Sequence, residues 1–243
     1  MYIPDEVRSK LKELAKLAEN AGGPICVEGV TSGAAKALVC SRLAQMHGGP
    51  ILIIVESNAE LDRWQSDLRF FFSECEVGDI VNVPSLETDI YSGASPHAET
   101  QELRAIALAS LLNRPPKVVL TTLRGVASRM ISPEMFSRVC LDLRLGTEIS
   151  PAKLAELLAA SGFAREDPVF GVGQFSWRGG IFDVWPAGSD SPLRIEFFGD
   201  LVESIRKFDP ETQVSIERIS SAEIHPMREF PAFSDSFRAL GAA

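Results

Sequence analysis

Apolar residues along this 243-residue chain follow two different rhythms. In "DEVRSKLKELAKLAEN", Val7, Leu11, Leu14 and Leu17 recur at the spacing of an amphipathic helix. Ala34 to Met46 predicts a second helix. The stripe Leu61, Trp64, Leu68 and Phe71 predicts a third, and Thr100 to Leu112 a fourth. Short apolar runs lie between them: "ICV" (Ile25–Val27), "ILIIV" (Ile51–Val55), "DIVNV" (Asp79–Val83) and "KVVLTT" (Lys117–Thr122). "ILIIV" is apolar at every position, the pattern of a parallel strand covered on both faces. Strands separated by helices imply a parallel sheet with right-handed crossovers.

The rhythm changes near Ser137. "VCLDLRLG" (Val139–Gly146) alternates between two faces. Leu154, Leu157, Leu158 and Phe163 predict a short helix, with Ser150 as its cap and Pro151 at its first position. "GQFSWRGGIFDVWP", "LRIEFFGDLVESIRKFD" and "QVSIERI" then read as strands. Gly199–Asp200 predicts a tight hairpin turn, and "DPET" (Asp209–Thr212) a second turn with Pro in its favoured place. The expected fold is an α/β parallel-sheet domain over 1–137, followed by a smaller α+β domain with an antiparallel meander over 138–230. Residues 231–243 read as the start of a return segment, interrupted before it completes an element.

Composition supports a soluble globular protein, with 45% hydrophobic and 23% charged residues. No apolar run is long enough to cross a bilayer, and the charged N-terminus lacks the apolar core of a signal peptide, so the expected location is the cytoplasm and no membrane partner is expected. Cys26, Cys40, Cys75 and Cys140 are scattered without C-x-x-C spacing, and His47, His97 and His225 are isolated. Neither set predicts a metal or a disulfide. A net charge of −9 argues against a surface that binds nucleic acid broadly.

One stretch has the outline of a nucleotide site. "CVEGVTSGAAKALVCSRLA" (Cys26–Ala44) reads as strand, small-residue turn and helix. A working phosphate loop, G-x-x-x-x-G-K-[ST], uses glycines to wrap phosphates, a Lys to reach the outer ones and a hydroxyl to hold Mg²⁺. Framed on Gly29, with Gly33 inside the turn, the chain places Ala34 at the second glycine. Ala35 stands at the Lys and Lys36 at the hydroxyl. Sliding the frame to use Lys36 makes the loop one residue too long and leaves Ala37 at the hydroxyl. No acidic pair follows a strand to hold Mg²⁺; "KVVLTTLRG" ends in hydroxyls. The loop is expected to be a degenerate Walker motif and the chain to have no catalytic residues. Weak anion binding at the helix N-terminus stays open.

"RGGIFDVWPAGSDSPLRIEFFGDLVESIRKFDPETQ" (Arg178–Gln213) resembles the second domain shared by the excision-repair protein UvrB and the transcription-repair coupling factors. "LETDIYSGASPHAETQELRAIALASL" resembles the coupling-factor pattern, in which E-T, a Tyr and S-P-H precede an Arg-containing helix. UvrB has a longer, Tyr-rich hairpin there, and it keeps an intact phosphate loop where "GVTSGAAKA" is similar to the decayed form. The resemblance reaches from the first helix to about Pro231.

The resemblance implies a degenerate RecA-like first domain and a second domain that recruits UvrA. It implies no cofactor for this chain. ATP, Mg²⁺, DNA and RNA polymerase would be met by other domains of the whole protein, some of which would also mask the UvrA surface. Carried onto matching positions, that surface centres on Arg165 (in "GFAREDPV"), Arg178 and Phe182, with Arg194 and Glu196 beside them. Arginine forks suit carboxylates, and an aromatic suits a desolvated anchor. The residues alone leave alternatives. Arg165 can pair with Glu166 or Asp167, Arg178 with an acid across the sheet, and Phe182 can face the core. Gly179 and Gly180 read as backbone requirements, and Trp177 and Trp185 as packing. An ATP- or DNA-binding UvrB-type subunit is the alternative function.

Overall fold

The computed structural model describes residues 4–20, 22–47, 49–72, 76, 78–88 and 95–232. The chain forms two compact units, Met1–Ser85 with Asn113–Ser128, and Leu86–Leu112 with Arg129–Ala243.

The first unit opens with α1 (Asp5–Asn20), which buries Leu11 and Ala15 but leaves Val7 and Leu17 exposed. Next come α2 (Gly33–His47), β1 (Ile51–Val55), α3 (Asn58–Phe71) and β2 (Ile80–Val83). After α4 (Ala98–Asn113), which belongs to the second unit, the first unit closes with β3 (Val118–Thr122) and α5 (Leu123–Ala127). The three strands are parallel in the order β1-β3-β2, with Ile51 and Ile80 both in register with Val118. Ala37 and Ala44 of α2 and Leu61 and Leu68 of α3 pack on Ile53, Val55, Val118 and Leu120. This is the parallel sheet expected from alternating strands and helices.

Two expectations fail here. Ile25–Val27 is not a strand, and Ile25 and Val27 are 41% and 47% exposed. Three residues make too few ladder bonds to offset the entropy of ordering them. The strand–loop–helix corner of a phosphate loop is therefore not formed; only its helical half is. The "ILIIV" strand is likewise not covered on both faces. Ile53 and Val55 are buried under α2 and α3, while Leu52 and Ile54 on the other face are about half exposed.

The second unit begins with α4 and continues through α6 (Pro133–Ser137), β4 (Leu141–Arg144), α7 (Pro151–Ala160), β5 (Ala164–Arg165), β6 (Gln174–Arg178), β7 (Ile181–Val184), β8 (Leu193–Phe198), β9 (Leu201–Phe208), β10 (Ser215–Ile219) and β11 (Ser221–Ile224). This compact unit takes in α4 as well as the residues expected in the second domain. Ala105 and Ala109 of α4 form one apolar cluster with Phe136 and Val139, which draws the helix into this unit. The expected return segment at 231–243 lies outside the described residues beyond Ala232, whose N–H donates to the Ala160 carbonyl.

β5 to β10 form one sheet in the order β10-β9-β8-β7-β6-β5, antiparallel except for the β5–β6 pair. β11 pairs with β4 in a separate two-stranded ribbon. The predicted local signals operate as expected. Ser150 caps α7 by accepting the Lys153 N–H at 3.2 Å. Gly199 turns the β8–β9 hairpin at φ +62, and Asp209 closes the next turn by accepting from the Glu211 and Thr212 N–H groups. One face of the sheet carries Phe175, Phe182, Val184, Leu193, Ile195 and Ile205, packed against Leu154 and Leu158 of α7.

Candidate protein-interaction site

The opposite face of the six-stranded sheet is polar, and register shows how it is laid out. Arg178, Ile181, Glu196 and Ser204 face one another across β6, β7, β8 and β9. The adjacent row runs Ser176, Asp183, Arg194, Arg206 and Arg218, from β6 to β10. Partners directly opposite share a face, so both rows lie on the side away from Phe182 and Ile195.

The five expected contact residues meet different fates. Arg178 is 64% exposed and its Nη2 lies 2.8 Å from Asp167 Oδ1. An exposed pair of this kind holds its partner weakly and stays available to a stronger carboxylate. Glu196 is half-buried and accepts from Ser204 Oγ at 2.6 Å and Arg206 Nη2 at 3.0 Å.

Arg194 is committed within the fold. Its Nε and Nη2 each donate to the buried Asp183 carboxylate at 2.8 Å, and Nη1 donates to the Gln213 carbonyl at 3.1 Å. The guanidinium also lies 4.6 Å from the Phe208 ring centroid. The hydrogen bonds to Asp183 raise its pKa above the ordinary arginine value, against the opposing effect of burial. A fork closed on a buried acid is a structural element.

Phe182 is a correction. It is fully buried, stacked on Phe175 at 5.6 Å and edge-on to Phe197 at 6.4 Å. It cannot be the exposed anchor, because strand alternation turns it into the core together with Val184. Arg165 is exposed but belongs to the other face. It is in register with Phe175, its guanidinium lies 6.0 Å from the Trp177 ring, and Nη2 donates to the Trp177 carbonyl at 3.4 Å. Arg165 and Arg178 are thus not brought together on one face.

The glycines between β6 and β7 are backbone requirements. Gly179 has φ +58, and a Cβ on Gly180 would sit 2.9 Å from the Phe197 carbonyl oxygen. Trp177 and Trp185 are half-buried, their indole N–H groups donating to the Gly179 and Ser189 carbonyls.

Phe198 was missing from the expected residues. It is 77% exposed, the most exposed large apolar residue described. Alternation along β8 puts it on the face of Arg194 and Glu196, opposite Leu201. The signal was present in the "FF" doublet, since two consecutive strand residues cannot both face the core.

In the first unit, Gly29 (φ +80) lies in an exposed loop, and Gly33, Ala34, Ala35 and Lys36 form the first turn of α2. Ser32 Oγ accepts the Ala35 N–H at 3.2 Å, so one donor that would meet a phosphate is engaged by the chain itself. The hydroxyls ending β3 are also used: Thr121 donates to the Val83 carbonyl, and Thr122 accepts the Gly125 N–H to cap α5. Among the described residues, no three His, Cys, Asp or Glu are grouped to hold a metal.

Residues 141–230 match the UvrB interaction domain family. The transcription-repair-coupling factor of Bacillus subtilis (strain 168) is 33% identical over 199 residues, covering 82% of this chain and 17% of that protein. The coupling factor of Escherichia coli (strain K12) is 27% identical over 203 residues, covering 84% and 17%. UvrABC system protein B of Gloeobacter violaceus is 27% identical over 231 residues, covering 90% and 34%. The chain thus spans about a sixth of the coupling factors and a third of the UvrB protein.

Proposed function

We propose that this chain, a homologue of the transcription-repair coupling factors and of UvrB that carries a UvrB interaction domain, is a non-catalytic scaffold that recruits UvrA to nucleotide excision repair. One observation carries the reading: the matched domain contains the six-stranded sheet, which turns Arg178 outward beside Ile181 and Glu196. An exposed arginine beside an apolar side chain is the kind of group that concentrates binding energy in protein interfaces.

The scaffold has no catalysis of its own in this reading. The loop at Gly29–Lys36 has Ala35 in place of the phosphate Lys and Lys36 in place of the metal hydroxyl. It takes no cofactor. ATP and Mg²⁺ belong to the helicase-like motor of the whole protein, and DNA and RNA polymerase are met through domains beyond this chain. The expected location is the cytoplasm; no described helix is long and apolar enough to cross a membrane. Co-elution with UvrA on a sizing column tests the reading. Arg178→Ala weakens the complex, by about 2 kcal/mol if Arg178 is a hot spot. Failure of the unaltered chain to co-elute would end it. In the whole protein, other domains mask the surface, so this chain binds UvrA more tightly than the full-length protein does.

The second reading is an ATP- or DNA-binding UvrB-type subunit, favoured by the match to UvrB over 90% of the chain. Micromolar ATP affinity that depends on Lys36, or a salt-sensitive shift of a DNA duplex, would replace the scaffold reading with this one.

A further inference from the structure

The polar face described above is not uniformly polar. At its hairpin end, Phe198 and Leu201 stand opposite each other, and Ile181 lies one strand away beside Glu196. All three are exposed. Exposed apolar side chains are ordinary when scattered, but three that share one end of a sheet face form a patch. The two rows beside the patch hold four arginines, Arg178, Arg194, Arg206 and Arg218, against two carboxylates, Asp183 and Glu196. In a chain of net charge −9, these two rows by themselves carry more arginines than carboxylates. Arg194 is paired with Asp183 and Arg206 with Glu196 inside the rows, while the two end arginines are the most accessible: Arg178, held only by the exposed Asp167, and the exposed Arg218.

We propose that Phe198 is the anchor of this face. It would insert, with Ile181 and Leu201 around it, into an apolar socket on the partner whose rim carries carboxylates that meet Arg178 and Arg218. The inference rests on the reading of UvrA as the partner. It replaces the buried Phe182 with Phe198 and extends the contact to β10. Division of labour follows from position. A desolvated aromatic governs how long the complex lasts, and a rim charge governs how fast it forms. The net charge of −9 favours a protein over a nucleic acid, since a polyanion is held mainly by clustered Lys and Arg.

The test is the binding kinetics of the 243-residue chain on immobilised UvrA, at low and high salt. Phe198→Ala removes a side chain that is mostly in solvent, so folding is retained, as thermal melting checks. It raises the dissociation rate by about tenfold with little change in association. Arg218→Glu slows association and reduces its salt dependence, with little change in dissociation. If both variants bind within about twofold of the unaltered chain while Arg178→Ala is impaired, the anchor assignment fails and the UvrA reading stands. If the unaltered chain does not bind UvrA, both fail. Loss of duplex DNA binding in Arg218→Glu with UvrA kinetics unchanged would also overturn the proposal, assigning the face to nucleic acid.

Discussion

Arg104 on α4 and Glu229, 125 positions later, meet as an ion pair whose side chains are 1% and 2% exposed. Glu229 uses its other oxygen to accept the Ile131 N–H at 2.9 Å. One carboxylate thus ties a helix, a connecting segment and the end of the described chain within the second unit. Removing one member of a buried pair leaves the other charge without compensation. Arg104→Met alone is therefore expected to destabilise the second unit by about 3 kcal/mol or more. Arg104→Met combined with Glu229→Leu should recover part of that loss. Urea unfolding of the three proteins measures both effects.

Burial likewise separates Phe182 from Arg178. Phe182→Ala empties a space between Phe175 and Phe197, and is expected to cost about 3–5 kcal/mol of stability. Arg178→Ala breaks only an exposed ion pair and should shift stability by less than about 1 kcal/mol. Thermal melting beside UvrA binding distinguishes them. If UvrA is the partner proposed above, Arg178→Ala is expected to lose binding without losing fold, and Phe182→Ala to lose binding only as fold is lost.

Gly180→Ala places a Cβ 2.9 Å from the Phe197 carbonyl oxygen, an atom that cannot move without disturbing the β7–β8 ladder. The expected cost is about 1–3 kcal/mol, the range for overpacking. Amide hydrogen exchange should report faster opening of β7 and β8 than of β10. Unchanged exchange would mean that the backbone accommodates the methyl group.

His225 supplies a pH dependence. Burial lowers its pKa, with Glu223 at 3.7 Å opposing, and its Nδ1 is buried without a hydrogen-bond partner. The folded state therefore favours the neutral ring more than the unfolded chain does. Its contribution is complete above the ordinary histidine value and is lost as pH falls toward the lowered folded value. Stability is expected to decline as pH falls below the ordinary histidine value of about 6.5, and His225→Gln should flatten that decline. Urea midpoints at several pH values measure it; identical slopes in both proteins would assign the dependence to other groups.

Cys140 should be chemically quiet. Burial, with Glu223 nearby, pushes its thiol up to about 11, and burial also raises Cys40. Cys26 is exposed. Peptide mapping after limited alkylation should find Cys26 modified well before Cys40 and Cys140, since the thiolate is the reactive form. Cys75 lies outside the described residues.

Much of the fold was legible in local patterns. The α3 stripe, the Ser150 cap with Pro151, the Gly199 hairpin and the Asp209 turn depend on residues a few positions apart, and each appears where its pattern placed it. The sites were less legible. Ile25–Val27 had the composition of a strand but no sheet partner, and "ILIIV" had two apolar faces but cover on one. Pairing and cover are supplied by residues distant in the chain, which a local pattern does not specify.

The sequence by itself determined the longer helices and strands from β1 to β10, though not α5, α6, β5 or β11, together with the turns, the incomplete phosphate loop and the resemblance that directed attention to Arg178. These follow from side-chain chemistry and from short-range geometry. Only the tertiary structure decided which residues can meet a partner. Strand register put Arg178, Ile181 and Glu196 in one row, closed Arg194 on Asp183, turned Phe182 inward and left Phe198 outside. The physical reason is the two-residue period of a strand. Alternation fixes that neighbours face opposite ways, but which way is outward depends on what packs against the sheet, here Leu154 and Leu158 of α7.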